Sequence, residues 1–264
     1  MSVAIAFVAF GKGTKVSRSA IVRHLEERWP TVPPISVGEK KDGVLSLDVG
    51  EAFVAFAFMP APIPWSDLEG PCKTSWLWPE ATEKMRDHSS HAIVTVMARE
   101  DQGAVEKQTL LMQATAALIA TTNSARGVYW GASQLVISPE MFCDFAHDVL
   151  PDELPLHVWI DFRVGKNENG QIVGFTTGMS ALEHMEFETL DSSDPPGELR
   201  ERLYGLANYV LQNGPVINDG DTIGQDADER IRVKYSDSSF GHEGQVMRLM
   251  YERLQQKRSW WRRN

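Results

Sequence analysis

The 264 residues include 36 acidic and 26 basic side chains, for a formal charge of −10, and 42% of them are hydrophobic. That composition can fill a sizeable core and is far from that of a disordered chain, while the acidity argues against general affinity for nucleic acid or anionic lipid. No apolar run approaches the roughly 20 residues of a membrane span, and the apolar start, Met1 to Phe10, lacks the cation and cleavage pattern of a secretion signal.

In chain order, Val3 to Phe10 is a continuous apolar stretch closed by Gly11 and Gly13, which predicts a central strand buried on both faces. Ser17 or Ser19 can cap a helix with Ile21, Val22, Leu25 and Trp29 on one face, stopped by Pro30, Pro33 and Pro34. Gly43 to Met59 reads as a hairpin turning near Gly50, and Trp65 to Trp78 as an irregular, tryptophan-rich connection. A helix from Pro79 to about Asp87 and a strand at His91 to Ala98 complete a β-α-β-β-α-β order, that of a ferredoxin-like split unit. The helix expected from Val105 to Thr122 has few charges and should be largely buried.

From Gly127 the pattern appears again: a strand to Trp130, a helix at Pro139 to Val149, and a strand at Leu156 to Val164. In that strand Leu156, Val158, Ile160, Phe162 and Val164 should oppose His157, Trp159, Asp161 and Arg163. Asn167 to Gly170 is a turn, and Leu182 to Leu190 continues as extended chain. Pro195 and Pro196 open a helix through Leu199, Leu203, Ala207 and Val210 that Gly214 and Pro215 end. Arg230 to Ser236 reads as a strand, and Val246, Leu249, Met250 and Leu254 as the face of a last helix. The expected fold is α+β, with mixed or antiparallel sheets and helices packed on them. Two ferredoxin-like halves, 1–104 and 105–256, are one organisation, and a shared sheet or two packed sheets fit equally. Residues 257–264 form a basic-aromatic tail.

Gly174 to Glu188 (GFTTGMSALEHMEFE), the helix with Ala207 to Leu211 (ANYVL), Gly214, and Asn218 to Gly224 (NDGDTIG) together resemble the bacterial domain-of-unknown-function family 4261. Met59 to Pro64 (MPAPIP) and the stretch from Trp78 through His88 to Val96 resemble it too, so the similarity covers most of the chain. The resemblance implies a bacterial cytoplasmic protein and carries over no catalytic residue. It also implies an association with immunity and accessory proteins encoded beside secreted toxins, such as type VI secretion effectors.

Gly11-Lys12-Gly13-Thr14 sits where phosphate-cradling loops sit, but position 6 is Ala6 rather than the Walker glycine, which favours a plain strand-to-helix turn. His88 and His91 beside Asp87 could serve a metal or a base, although nothing else assembles around them and a helix-end cap explains them. Cys72 and Cys143 give neither a metal spacing nor a disulfide framework, which suits a reducing cytoplasm.

An extended Leu182 to Glu188 would put His184, Glu186 and Glu188 on one face, opposite Glu183, Met185 and Phe187. That face is a solvated strand surface, an acidic stripe for a basic partner, or a metal or catalytic site. The loop Asn218 to Asp228, with Asp219, Asp221, Asp226 and Asp228, fails EF-hand spacing and reads as an acidic surface loop or partner contact. In the tail, Trp260 and Trp261 among four cations have a composition that can stack on bases or enter a membrane interface, but eight residues are short for either, and packing on the protein, on a second subunit or on a partner is the expectation.

No catalytic, cofactor-binding or metal residue is assigned and no cofactor is expected. The leading expectation is a non-enzymatic cytoplasmic immunity protein that occludes the active site of a cognate toxin. A nuclease toxin would meet Glu183, Glu186, Glu188, Asp219, Asp221 and Asp226 with a basic cleft. An adaptor or chaperone for a secreted effector and an unrecognised hydrolase are the alternatives. The partner is a toxin or effector protein or a second copy of the chain, with no nucleic acid and no membrane.

Overall fold

A computed structural model gives the architecture, and it describes residues 2–38, 43–99, 102–150, 152–224 and 230–251. The fold is α+β, with two mostly antiparallel sheets. The chain divides into two units: Met1–Asp161 with Thr177–His184, and Phe162–Thr176 with Met185–Asn264.

In the first unit the apolar opening run is strand β1 (Ser2–Phe10), followed by helix α1 (Arg18–Arg28), whose N-cap Ser17 accepts from the Ala20 N–H. Strands β2 (Ile35–Val37), β3 (Val44–Val49) and β4 (Ala52–Met59) follow, and then helices α2 (Trp65–Thr74) and α3 (Ala81–Arg86). Strand β5 (Ser90–Ala98) and the buried helix α4 (Ala104–Ala120) lead to β6 (Ala125–Trp130), β7 (Leu135–Ile137) and α5 (Pro139–Asp144). The expected tryptophan-rich loop is therefore in part the helix α2, in spite of Pro71 inside it.

The seven strands order β2-β3-β4-β5-β1-β6-β7, every neighbour antiparallel. This corrects the ferredoxin-like expectation, which needs β1 to run parallel to a neighbour across a helical crossover. It also corrects the boundary at 104, because β6 pairs with β1 through Ala6↔Trp130 and Val8↔Val128 and so belongs to the first sheet. One face of the sheet, with Ala6, Val8, Val54, Phe56, Val94 and Val96, is fully buried under α4 and its neighbours α1 and α5.

Helix α6 (Leu156–Trp159) replaces the first half of the strand expected from Leu156. Pro155 fixes a helical entry, and its carbonyl accepts from the Val158 and Trp159 N–H groups. The alternation fails with it: Trp159 and Asp161, expected to oppose Leu156, Val158, Ile160 and Phe162, are buried as those residues are. Gly178, at φ +122°, lies so close to this turn that an added Cβ would stand 2.2 Å from the Trp159 carbonyl oxygen. Gly178→Ala is expected to cost about 3 kcal/mol or more, from backbone strain plus the clash, read as a lowered urea midpoint by tryptophan fluorescence.

The six-stranded sheet orders β11-β12-β13-β10-β9-β8, from β8 (Asp161–Lys166), β9 (Ile172–Thr177), β10 (Phe187–Ser192), β11 (Thr222–Ile223), β12 (Ile231–Asp237) and β13 (Gln245–Tyr251). Helix α7 (Pro196–Asn213) has the bounds its prolines and Gly214 predict, and its Leu199 and Leu203 press on Gly174 of β9, where a Cβ would meet Leu199 at 2.9 Å. The expected C-terminal helix is instead β13, which pairs with β12 over seven positions. In a segment this short, an i, i+3 apolar spacing does not separate helix from strand, and the hairpin hydrogen bonds decide.

Candidate protein-binding surface

Residues directly opposite each other in adjacent antiparallel strands share a face, so register alone assembles the second face of the seven-stranded sheet. Val3 pairs with Met97, Ile5 with Thr95 and Phe7 with Ile93; Met97, Thr95 and Ile93 in turn pair with Phe53, Ala55 and Ala57 of β4. One end of this face is covered. Helices α2 and α3 bring Leu68, Cys72, Ala81 and Met85 against Ala9 and Val136, with Phe7 and Tyr129 packed alongside. Gly127 lets them approach, since a Cβ there would meet Met85 Sδ at 2.4 Å and the Trp78 ring at 3.0 Å.

The rest is open. Val3 is 51% and Ile5 38% exposed, and Phe53, Ala55, Ala57, Ile93, Thr95 and Met97 are all partly accessible. None of these eight side chains is ionisable, although exposed Asp48 of β3 borders them opposite Phe53, whereas the solvent face of an antiparallel sheet is ordinarily polar. This corrects the expectation that β1 is buried on both faces: it is central, but alternate residues reach solvent.

The residues singled out from sequence fare differently. The Thr14 hydroxyl donates to the Gly11 carbonyl at 3.0 Å and meets Ser124 Oγ at 2.6 Å, and the Gly11 N–H binds the Ser124 carbonyl, as suits a strand-to-helix turn. His88 is buried. Its Nε2 accepts the Ile63 N–H at 2.7 Å, so its proton sits on Nδ1 and is donated to the Met85 carbonyl at 2.6 Å, which ties the 60–64 loop to α3. Burial pushes the Cys72 thiol, and burial with Asp144 and Glu140 the Cys143 thiol, up to about 11, so both stay protonated at neutral pH. Among the described residues, no group of three or more His, Cys, Asp or Glu side chains is placed to hold a metal ion.

The acidic stripe is not one surface. A 3-10 turn, Met179–Leu182, ends in Glu183 at φ +64°, which is exposed, while Glu186 and Glu188 are buried. Each has hydrogen-bond donors that the strand pattern could not reveal. Glu186 Oε2 accepts from Thr176 Oγ1 at 2.7 Å. Glu188 accepts from the Ser238 hydroxyl, the Ser239 N–H at 2.9 Å, His242 Nδ1 at 3.3 Å and Arg248 Nη2 at 3.4 Å. His184 falls in the first unit and Glu186 in the second.

Burial alone would raise the Glu188 carboxyl, but these hydrogen bonds outweigh it and hold the group below its ordinary value. The trio Ser238, His242 and Glu188 has the composition of a hydrolase triad without its wiring. Ser238 Oγ and Glu188 both approach the same ring nitrogen, Nδ1, and the serine donates directly to the carboxylate.

Asp219 Oδ1 accepts the Tyr235 N–H and Asp221 Oδ2 the Asn218 N–H, each at 2.7 Å, so both brace their loop while remaining exposed. Asp226, Asp228, Trp260 and Trp261 lie outside the described residues.

Residues 175–250 match the model of a family described as a domain of unknown function (DUF4261). That stretch of the chain belongs to the DUF4261 family. It contains the whole Glu188 network and most of the strings that carried the resemblance, whereas MPAPIP and the Trp78 to Val96 stretch lie upstream of the match. No curated protein and no solved structure matches the chain.

Proposed function

We propose that the chain is a protein-binding module that acts without chemistry of its own, in the specific form of an immunity protein covering the active site of a cognate toxin. The observation that carries this reading is the uncharged, solvent-accessible face of β1, β4 and β5, on a chain whose formal charge is −10. An apolar face of this kind gains free energy when a partner covers it, at about 25 cal/mol for each Å² of apolar surface removed from water. The net negative charge of the chain selects among partners by accelerating encounter with a basic protein, as a nuclease toxin would be. Glu186 and Glu188, being buried, have no part in this contact; Glu183, Asp219 and Asp221 remain available at the surface.

Coexpression with the product of a toxin-like gene encoded beside this one tests the reading. The expected result is protection from toxicity together with a complex that survives gel filtration. A complex without protection, accompanied by loss of toxin secretion when the chain is deleted, would replace immunity with an adaptor role. No complex at all would contradict the proposal.

A further inference from the structure

Helix α1 and a single π-helical turn, Phe145–Val149, bring together two histidines that are 123 positions apart in sequence. His24 Nε2 and His147 Nε2 stand 3.2 Å from each other, and the ring centroids are 5.3 Å apart, so the rings meet nearly head on rather than stacking. The buried Trp29 ring backs both, 5.9 Å from His24 in an edge contact and 5.5 Å from His147. Both histidines keep part of their surface in water. His147 is the middle residue of the π turn, a form of helix that recurs at functional sites.

Two facing imidazole nitrogens can share a proton or chelate an ion. A shared proton must sit on one Nε2, yet neither Nδ1 has a hydrogen-bond partner among the described residues that would fix the tautomer. Chelation needs no large movement. An ion at about 2.0–2.1 Å from each nitrogen would see them at an angle of about 100°, between the tetrahedral and cis-octahedral values. Arg28 lies beside the pair, but its Nη2 donates to the His147 carbonyl at 2.5 Å and pairs with Asp148 at 3.6 Å. The carboxylates of Glu27, Asp144 and Asp148 also act on the two rings and offset that positive charge.

We propose that His24 and His147 bind a divalent transition-metal ion that prefers imidazole, such as Ni²⁺ or Zn²⁺, with water in the remaining positions. Bound there, the ion ties α1 to the π turn. Mg²⁺ and Ca²⁺, which take oxygen ligands, gain nothing from the pair.

Calorimetric titration of the untagged full-length chain with NiCl₂ near neutral pH is expected to show one site in the micromolar range, and titration with MgCl₂ none. His24→Gln and His147→Gln should each weaken nickel binding at least about tenfold, because a single imidazole cannot chelate. His91→Gln, which removes a ring held by the Ala61 carbonyl at the end of β5, should leave it unchanged. Imidazole nitrogen NMR gives a readout that needs no variant: Zn²⁺ should move the Nε2 resonances of two of the seven histidines.

No nickel binding by the wild type overturns the proposal, since the pair is then only hydrogen-bonded. So does binding that survives in either folded variant of the pair, or a zinc-induced shift confined to one histidine.

Discussion

Replacing Glu188 by alanine is expected to destabilise the second unit by about 3–5 kcal/mol, the range for removing one partner from a buried charged network. The carboxylate is fully buried and is the shared acceptor that holds the β12–β13 connection to β10 through Ser238, Ser239, His242 and Arg248. Arg248 Nη2 extends the network to the Asp237 carbonyl at 2.7 Å and Ser239 Oγ at 2.8 Å. Phe240 and His242 meanwhile lie against Phe175, the Phe240 ring stacked at 4.4 Å between centroids.

Without the carboxylate the Ser238 hydroxyl, the Ser239 N–H and the half-buried Arg248 guanidinium each lose one acceptor together. Hydrogen exchange of β12 and β13 should accelerate roughly hundredfold or more, with the first sheet unaffected. Glu188→Gln keeps the shape and loses the charge, and is expected to cost less, about 1–2 kcal/mol.

The pH dependence has a definite sign. The folded carboxyl titrates below its ordinary value of 4.5, so its stabilisation is complete above that pH and is lost as pH falls through the lower folded value. The advantage of wild type over Glu188→Gln should thus be constant near neutrality and shrink only below about pH 4.5. A gap that stays unchanged at pH 3, measured by urea unfolding, would mean that the carboxylate is not held as described.

The second large effect is expected on the open face. Val3→Asp with Ile5→Asp places two carboxylates where the proposed partner docks, and should weaken binding at least about hundredfold, on the order of 3 kcal/mol. Both side chains already reach water, so the cost to folding should stay near about 1 kcal/mol for each. Val3→Thr with Ile5→Thr keeps the β-branched shape and the strand preference, and should weaken binding by roughly tenfold. Calorimetric titration against the partner, with thermal unfolding in parallel, separates the two effects.

Much of the fold can be read from local chemistry. Ser17 and Pro30 bracket α1, the paired prolines and Gly214 bracket α7, the apolar stretch of α4 announces a buried helix, and the Asn167 to Gly170 turn joins β8 to β9. What escapes the sequence depends on partners distant along the chain. Glu188 looks like a solvated strand residue because its donors come from 50 to 60 positions downstream. Segments such as 156–160 and 245–251 are too short for periodicity to separate helix from strand, and Pro155 or a hairpin partner decides.

The open face was encoded but concealed. In β1, β4 and β5 both parities are apolar, which is the pattern of strands covered on two sides. Only the positions of α2 and α3, confined to one end of the sheet, show that one parity is left accessible.

The most direct test of the binding-module account compares two variants against the proposed toxin partner. Val3→Asp/Ile5→Asp alters the apolar face, and Asp219→Asn/Asp221→Asn alters the exposed acidic loop. Loss of complex and of protection in the first, with both retained in the second apart from a slower association that depends less on salt, is the result the account predicts. Full binding by the first variant would contradict it.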